Sequence, residues 1–439
     1  MSARAVMPEK YPWYDYSTYS FSLGIAAGDG VYLSGHTASE YDGDIGRIRI
    51  SGGMTAQART AYAKIGAILE AAGRTYDDVV RVVEYIKPEG IERYGEAATV
   101  REQVFGASTP TVNTVPVRAL LRPDALIEVE VTAGPGDGNR PSGMVFLPTI
   151  QPVDGQGAII APGDVAAQTE AVFETARGLL TALGLGLSHV VKTLDYITPA
   201  ALAGYRDKGR VRRNYLGPVY PCAAGIIMPR LLHGQALIQC DFIAAREDPV
   251  AVNPGWERYE KLTYSPGVLA GKHLFLSGQG AVNPDTGEME HVGDVVAQAE
   301  YVYGNIFKMI AAAAGKPENL AKTIEYVTPD ALARYREVGA LRTRQLARPY
   351  PAATGLICQR LPRAAHHVRP RPPRARARAR GGVLRHVSRP RPRGGAVRRG
   401  GAGLRAAGDG AAGPGLPRAA LPGSHLRRGD TTTGRLCRQ

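Results

Sequence analysis

One pattern of apolar and polar positions recurs three times along the chain. In its first occurrence, apolar residues spaced three and four apart over residues 58–72 predict an amphipathic helix with one buried face. The β-branched run 79–86 predicts a strand, and a second helix is expected at about residues 91–105. Two extended segments, 114–117 and 126–131, complete the unit.

A strand pair is expected to open each unit. One of its strands covers residues 31–35 in the first occurrence, 145–148 in the second and 274–278 in the third. The resulting order, β-β-α-β-α-β-β, predicts an α+β fold with both helices on one face of a mixed sheet. In the third occurrence the pattern stops at Leu361, before the last strand, so a gap in that sheet is expected.

The repeat is also visible residue by residue. Three equivalent segments, 84–88, 195–199 and 325–329, lie at constant offsets that continue to Tyr94, Tyr205 and Tyr335 and to Arg101, Arg212 and Arg342. Glycines 73, 184 and 315 are expected to end the first helix of each copy with a positive φ. Repeats of this length are domains, so we expect three, at residues 11–134, 141–246 and 254–362. Three copies can close like a cyclic trimer, with pockets between neighbours.

Composition changes abruptly after residue 362. The net charge of the whole chain is +14, but residues 363–439 contain 19 arginines and two acids, so the preceding residues carry a net charge of −3. This Arg/Pro/Ala/Gly-rich tail cannot form a core and is expected to be disordered. One interpretation is a non-specific nucleic-acid arm. We favour a reading-frame shift in a GC-rich gene, which the nucleotide sequence near codon 361 would test.

Few features point to metals, export or membranes. The four cysteines, at positions 222, 240, 358 and 437, form no CxxC pair, so zinc is not expected. Residues 1–19 contain no apolar signal-peptide core, and no apolar run reaches the roughly 18 residues of a membrane span. We therefore expect a cytoplasmic protein without metal or cofactor.

Several short segments suggest a family. In the third copy these are Tyr264-Ser265, residues 276–279 and the loop 283–288, and in the first copy residues 69–80 and 126–130. With these segments the chain resembles the RidA/YjgF family of imine and enamine deaminases, also described as endoribonuclease L-PSP-like. The resemblance implies a chorismate-mutase-like fold and active sites between subunits of a homotrimer. Here it implies three tandem domains assembled as an intramolecular pseudo-trimer.

The resemblance also implies a reaction, the hydrolysis of an imine or enamine acid to a keto acid and ammonia. A glutamate on the last strand positions the attacking water, and Glu128 matches it. Gln239 replaces it in the second copy, and the third copy has no counterpart. The family has an arginine that holds the substrate carboxylate. Its position falls on Asn113 or Val112 in the first copy, on Ala224 or Ala223 in the second and on Thr354 or Ala353 in the third, so no copy retains it.

Other candidates for substrate contact come from the same alignment. They are Ser34, Gly35, His36, Asn113, Tyr264, Ser277 and Gly278. Arg101 could replace the missing arginine, although a salt bridge between repeats or packing against the neighbouring repeat is the simpler explanation. His36 is likewise an acid-base candidate or a structural imidazole, and Glu128 is a catalytic base or a salt-bridged strand carboxylate.

The function expected from these residues is a RidA-like hydrolase for a small imine, enamine or related unsaturated acid, with at most one or two active pockets. Fused, diverged copies suggest a dedicated role such as secondary metabolism. Two alternatives stay open. One is a chorismatase-like enzyme, and the other is a non-catalytic ligand-binding or scaffold protein.

Overall fold

The computed structural model describes residues 3–134 and 143–362, so the Arg-rich tail and Cys437 lie outside the described residues. Repeat one, with the short strand β1 Arg4–Val6 before it, has β2 Gly24–Ala27, β3 Gly30–Leu33, β4 Glu40–Asp42, β5 Arg47–Arg49, α1 Met54–Ala71, β6 Val79–Ile86, α2 Tyr94–Phe105, β7 Thr111–Pro116, β8 Ala119–Leu120 and β9 Ile127–Ala133.

Repeats two and three contain the corresponding helices and most of the strands. Repeat two has β10 Met144–Phe146, α3 Val165–Ala182, β11 Val190–Ile197, α4 Tyr205–Tyr215, β12 Cys222–Ile227 and β13 Ile238–Ala245. Repeat three, with the short strand before it, has β14 Val250–Val252, β15 Gly267–Ala270, β16 His273–Leu276, α5 Val295–Ala312, β17 Lys322–Val327, α6 Leu332–Gln345 and β18 Ala352–Ile357.

The sheets that contain the central strands β6, β11 and β17 are mixed, as the sequence predicts. Repeat one forms a sheet in the order β1-β2-β3-β9-β6-β7, in which only the β6–β7 pair is parallel. Repeat two follows with β10-β13-β11-β12. In repeat three the strands divide between two sheets, β14-β15-β16 and β17-β18-β8. Strand β8 of repeat one thus pairs with β18 of repeat three, Leu120 opposite Leu356.

Most element boundaries lie close to the predicted ones. Strand β6 has the predicted limits, whereas β7 begins three residues early because it pairs with β6 from Arg81 onward. The second helix begins at Tyr94, after a 3₁₀ turn that starts with Pro88. The prediction for Gly315 is wrong, because α5 ends at Ala312 and Ala314 adopts the positive φ of 57°. Ala314, not Gly315, lies at the offset of 130 from Gly184.

The two faces of β6 pack against different partners. Val82 and Ile86 face helix α1 in the core of repeat one. Val83 and Tyr85, which point the other way, join a core that also contains Tyr196 of repeat two and Leu356 of repeat three. Tyr85, Tyr196 and Tyr326 occupy equivalent positions in this shared core, and the hydroxyls of the last two are 3.3 Å apart. The face without helices is therefore buried between repeats.

We expect Tyr196→Ala to reduce the free energy of unfolding by about 3–5 kcal/mol, because it removes a fully buried aromatic ring from the shared core. Urea unfolding followed by circular dichroism measures this. Tyr41→Ala is the matched control, since Tyr41 is 58% exposed and the change should cost less than about 0.5 kcal/mol. An equal loss of unfolding free energy in both variants would show that the shared core does not stabilise the protein.

Candidate active site between repeats one and three

Glu128 lies on β9 beside the main chain that follows β3. Its residue is 7% exposed and Glu130, two positions on, is 4% exposed. Both carboxylates share a sheet face, while Ile127 and Val129 pack in the core of repeat one. A Cβ atom at position 35 would overlap Glu128 Oε1, so glycine is needed at Gly35 for the carboxylate to come this close.

The start of β18 in repeat three forms the other wall of this site. The Ala353 amide donates to Ser34 Oγ at 2.8 Å, and the Gly35 amide donates to the Ala353 carbonyl at 3.4 Å. The Thr354 methyl group also lies against Gly35. The site is therefore formed by two repeats of one chain.

Glu130, rather than Glu128, receives the direct bonds from repeat three. Lys322 Nζ is 2.8 Å from Glu130 Oε2, and Thr354 Oγ1 donates to the same oxygen at 2.5 Å. Lys322 also donates to the Leu33 carbonyl at 2.7 Å. Glu130 is thus fixed in an ion pair, which leaves Glu128 as the carboxylate available for other chemistry.

The environment of Glu128 favours its neutral form. Burial raises the pKa of Glu128 to about 8, and the nearby Glu130 charge adds to the increase, while Lys322 and Arg122 oppose it. This carboxyl therefore titrates near neutral pH. Groups that titrate there are suited to general acid-base work.

Arg122 and Tyr14 lie near Glu128, and Lys64 lies against Tyr14; none of the three was identified from the sequence. Arg122 acts electrostatically on Glu128, on Tyr14 and on Lys64. Burial lowers the pKa of Lys64 to about 7, although Lys64 donates to the Thr37 carbonyl at 2.7 Å. The Lys64 ammonium lies 5.0 Å from the centre of the Tyr14 ring. The sequence position of Arg122, in the turn just before the strand that contains Glu128, could have identified it as a candidate.

His36 and Ser34 are held by the main chain. Ser34 Oγ donates to the Ser22 carbonyl at 2.6 Å while accepting from Ala353, so its hydroxyl joins two repeats. His36 is 1% exposed, and its Nε2 lies 3.3 Å from the Leu23 carbonyl. Burial, with the Lys64 charge, lowers the pKa of His36 to about 3. The geometry favours a neutral structural imidazole.

Asn113 belongs to a different interface, between repeats one and two. Its amide donates to the Leu147 carbonyl at 3.0 Å, and its oxygen accepts from Arg81 at 2.6 Å. In the same place Gln239, the counterpart of Glu128, donates to the Thr114 carbonyl at 3.0 Å and accepts from the Leu232 amide at 3.1 Å. The side chains of Asn113 and Gln239 are thus engaged in hydrogen bonds at the interface of repeats one and two. Asn113 is therefore not part of the Glu128 site, which lies between repeats one and three.

Tyr264, Ser277 and Gly278 line the third interface, between repeats three and two. Ser277 Oγ accepts from the Ala223 amide at 2.9 Å, and the Gly278 amide donates to the Ala223 carbonyl at 2.9 Å. These contacts match those of Ser34 and Gly35. The structure therefore distributes the candidate residues over three equivalent interfaces.

Arg101 is bonded within its own repeat. Its guanidinium forms an ion pair with the buried Glu84, whose carboxylate also accepts from Tyr62 at 2.7 Å and from Tyr94 at 2.5 Å. Equivalent pairs are Arg212 with Asp195 at 3.3 Å and Arg342 with Glu325 at 2.9 Å. A salt bridge therefore explains this arginine better than a substrate clamp, but each bridge lies within one repeat and not between repeats as expected.

Comparisons with known proteins agree with the sequence resemblance. The family model described as Endoribonuclease L-PSP matches residues 15–134 and 259–367, more than half of the chain. The chain belongs to this family. It is the RidA/YjgF family that the sequence resembles. The matched residues fall in repeats one and three.

Individual relatives of this RidA/YjgF chain match one part of it. RutC family protein PH0854 of Pyrococcus horikoshii is 34% identical over 113 residues, which are 26% of this chain and 85% of that protein. RutC family protein y4sK of Sinorhizobium fredii is 32% identical over 124 residues, 28% of this chain and 88% of that protein. The crystal structure of Rv2704 from Mycobacterium tuberculosis, described as a YjgF/YER057c/UK114 family member, has 31% identity and a TM-score of 0.25, covering 30% of this chain and 99% of that one.

The described residues contain no group of three His, Cys, Asp or Glu side chains that could hold a metal ion. Cys222, Cys240 and Cys358 are buried free thiols. Within the same residues, every helix is too short or too polar to cross a membrane.

The pKa of Glu128 predicts how stability depends on pH. Because folding raises this pKa from 4.5 to about 8, the folded protein holds the proton more tightly, and stability present below pH 4.5 is lost as pH rises toward 8. Glu128→Gln should remove this loss, so the variant becomes more stable relative to wild type between pH 5 and 8. Urea unfolding at several pH values measures the difference.

Glu92→Gln is the control for this experiment, because Glu92 is an exposed carboxylate of the same repeat. It should leave the pH dependence of unfolding unchanged. A Glu128→Gln profile parallel to that of wild type would show that Glu128 ionises normally in the folded protein.

Proposed function

We propose that this chain is an intramolecular pseudo-trimer of RidA-like units that hydrolyses a small imine or enamine acid at the Glu128 site. The observation that carries the proposal is a buried carboxyl with a pKa near 8, on the strand position of the family's glutamate and next to a neighbouring repeat. The core shared by Tyr85, Tyr196 and Tyr326 supports the trimer-like arrangement.

In the proposed reaction one water is consumed and one ammonia is released. Ionised Glu128 removes a proton from water as the oxygen bonds to the imine carbon. The C=N π electrons move to nitrogen, which takes this proton from Glu128, so the carbinolamine forms and Glu128 is ionised again. Glu128 then removes the hydroxyl proton as the carbonyl forms and the C–N bond breaks, and it passes this proton to the leaving nitrogen, so that ammonia departs. Gly35 permits the close approach of this carboxyl to the main chain that faces repeat three.

Arg122 is our candidate for holding the substrate carboxylate. The family's arginine position falls on Thr354 or Ala353, on the repeat-three wall of this site, where Thr354 is bonded to Glu130 and Ala353 to Ser34. Arg122 approaches from repeat one, is half-buried, and is close enough to Glu128 to oppose its raised pKa. A guanidinium can bind a carboxylate through two parallel hydrogen bonds.

Catalysis is confined to one interface in this proposal. Gln239 cannot accept a proton as a carboxylate does, and its amide is already hydrogen-bonded on both sides. In the interface of Ser277 and Gly278, the described residues contain no strand equivalent to β9. These same two observations favour a non-catalytic binding protein as the second candidate. A chorismatase-like reaction has no separate observation in its favour.

We expect Glu128→Gln to abolish ammonia release from freshly generated 2-imino acids, because an amide cannot act as the base. With wild type, kcat/KM should rise with pH through about 8, the pKa of Glu128. Ammonia is measured by a coupled assay, with Glu92→Gln as the control. Absence of release by the folded wild type, while imino acids still bind, would favour the binding protein.

Arg122→Ala should raise KM by at least about tenfold with a smaller effect on kcat, because a carboxylate clamp contributes mainly to substrate binding. Arg122→Lys should restore part of the loss. The control is Arg47→Ala, an exposed arginine of the same repeat. If Arg122→Ala also binds and turns over substrates without a carboxylate equally poorly, Arg122 has a structural role instead.

A further inference from the structure

Three basic residues occupy the same position in the three repeats. Arg81, Lys192 and Lys322 are separated by the repeat offsets of 111 and 130, and each is near the start of the central strand of its repeat. Arg81 forms an ion pair with Asp241 of repeat two at 3.5 Å, and Lys322 forms one with Glu130 of repeat one at 2.8 Å. In each pair, the basic side chain of one repeat is bonded to an acid on the last strand of another repeat.

The same order around the three repeats assigns a partner to Lys192. Arg81 pairs with repeat two and Lys322 with repeat one, so Lys192 should pair with the last strand of repeat three. Among residues 3–134 and 143–362, no carboxylate oxygen lies within 4.0 Å of the Lys192 ammonium. Asn113 accepts a hydrogen bond from Arg81, and Thr354 accepts one from Lys322. At the equivalent position repeat two has Ala224, which cannot bond to Lys192 in this way.

The place for that strand is open in the described residues. In repeat one β9 lies between β3 and β6, and in repeat two β13 lies between β10 and β11. In repeat three, β16 and β17 belong to separate sheets, and neither has a strand partner on this side. A groove of about 1200 Å³ lies here, lined by Leu276, Ile306, Ile324 and Lys192 among others. We call it the strand groove.

The paired strands of the other repeats define what would fit the strand groove. Both β9 and β13 run antiparallel to the central strand, over seven and eight residues. Their apolar side chains alternate with polar ones, so that one face packs under the helix and the other meets the neighbouring repeat. Glu130 is opposite Val83 and Asp241 is opposite Leu194. The equivalent acid would be opposite Ile324.

We propose that the strand groove binds an extended peptide of another polypeptide as an added β-strand, antiparallel to β17 and with a carboxylate that pairs with Lys192. Edge N–H and C=O groups of β16 and β17 supply the main-chain bonds, as in other cases of strand addition. Apolar positions under α5 and the acid opposite Ile324 supply the specificity. The proposal does not depend on any reaction at Glu128.

The probe is a fluorescein-labelled peptide with the sequence of residues 126–134, titrated with the full chain and followed by fluorescence anisotropy. We expect saturable binding. Lys192→Glu should weaken it at least about tenfold, and a peptide with lysine at the position of Glu130 should regain affinity for this variant only. Lys308→Glu, the same charge change on the exposed face of α5, is the control and should bind like wild type. The milder Lys192→Met should also weaken binding if Lys192→Glu does not fold.

Hydrogen exchange locates the peptide. Amides on the open edges of β16 and β17 should exchange rapidly in the free chain and become protected when the peptide is added. Non-saturable binding, or equal binding of a scrambled peptide, would overturn the proposal. Protection of these amides without peptide would also overturn it, in favour of residues of the chain itself. Concentration-dependent dimerisation with the same protection would instead identify a second copy as the occupant.

Discussion

In the described residues the central strands β6, β11 and β17 have helices on one face only, and burial of the opposite face between repeats is the constraint on which the structure depends. Tyr85, Tyr196 and Tyr326 show this, since each points from a central strand into the one core that all three repeats share. An exposed sheet face of this kind would leave a large apolar surface in water. Because the repeats are covalently joined, the neighbouring repeats bury this face at any protein concentration.

The same packing determines the charges of the site. The last strands of repeats one and two, β9 and β13, have alternate residues on opposite faces, so the residues that face away from the helices are buried against a neighbour whether they are apolar or not. Buried charges are costly unless paired, and Glu130 and Asp241 have cationic partners from other repeats. Glu128 has none in direct contact, and its carboxyl is therefore pushed toward the neutral form. The raised pKa of Glu128 is thus a consequence of its burial at the interface between repeats.

Local sequence predicted the parts of the fold that depend on local patterns. Helix α1, strand β6 and the shared face of Glu128 and Glu130 follow from periodicity alone. The prediction for Gly315 was wrong because glycine was expected at the helix end, whereas the residue at the constant offset, Ala314, has the positive φ. Arg122 and the pairing of Lys322 with Glu130 could not be read from local patterns, since they depend on the order in which repeats meet.

A homotrimer must place the same residue in every interface, and a fused chain need not. The three interfaces differ in this way: Glu128 is free to titrate, Gln239 is hydrogen-bonded to the main chain, and the third interface, which has no counterpart of Glu128 among the described residues, contains the strand groove. The hydrogen bonds between the repeats nevertheless stay the same, as the matching bonds of Ser34 to Ala353 and of Ser277 to Ala223 show. These bonds and the shared core hold the repeats together, and neither requires a particular side chain at the position of Glu128 and Gln239.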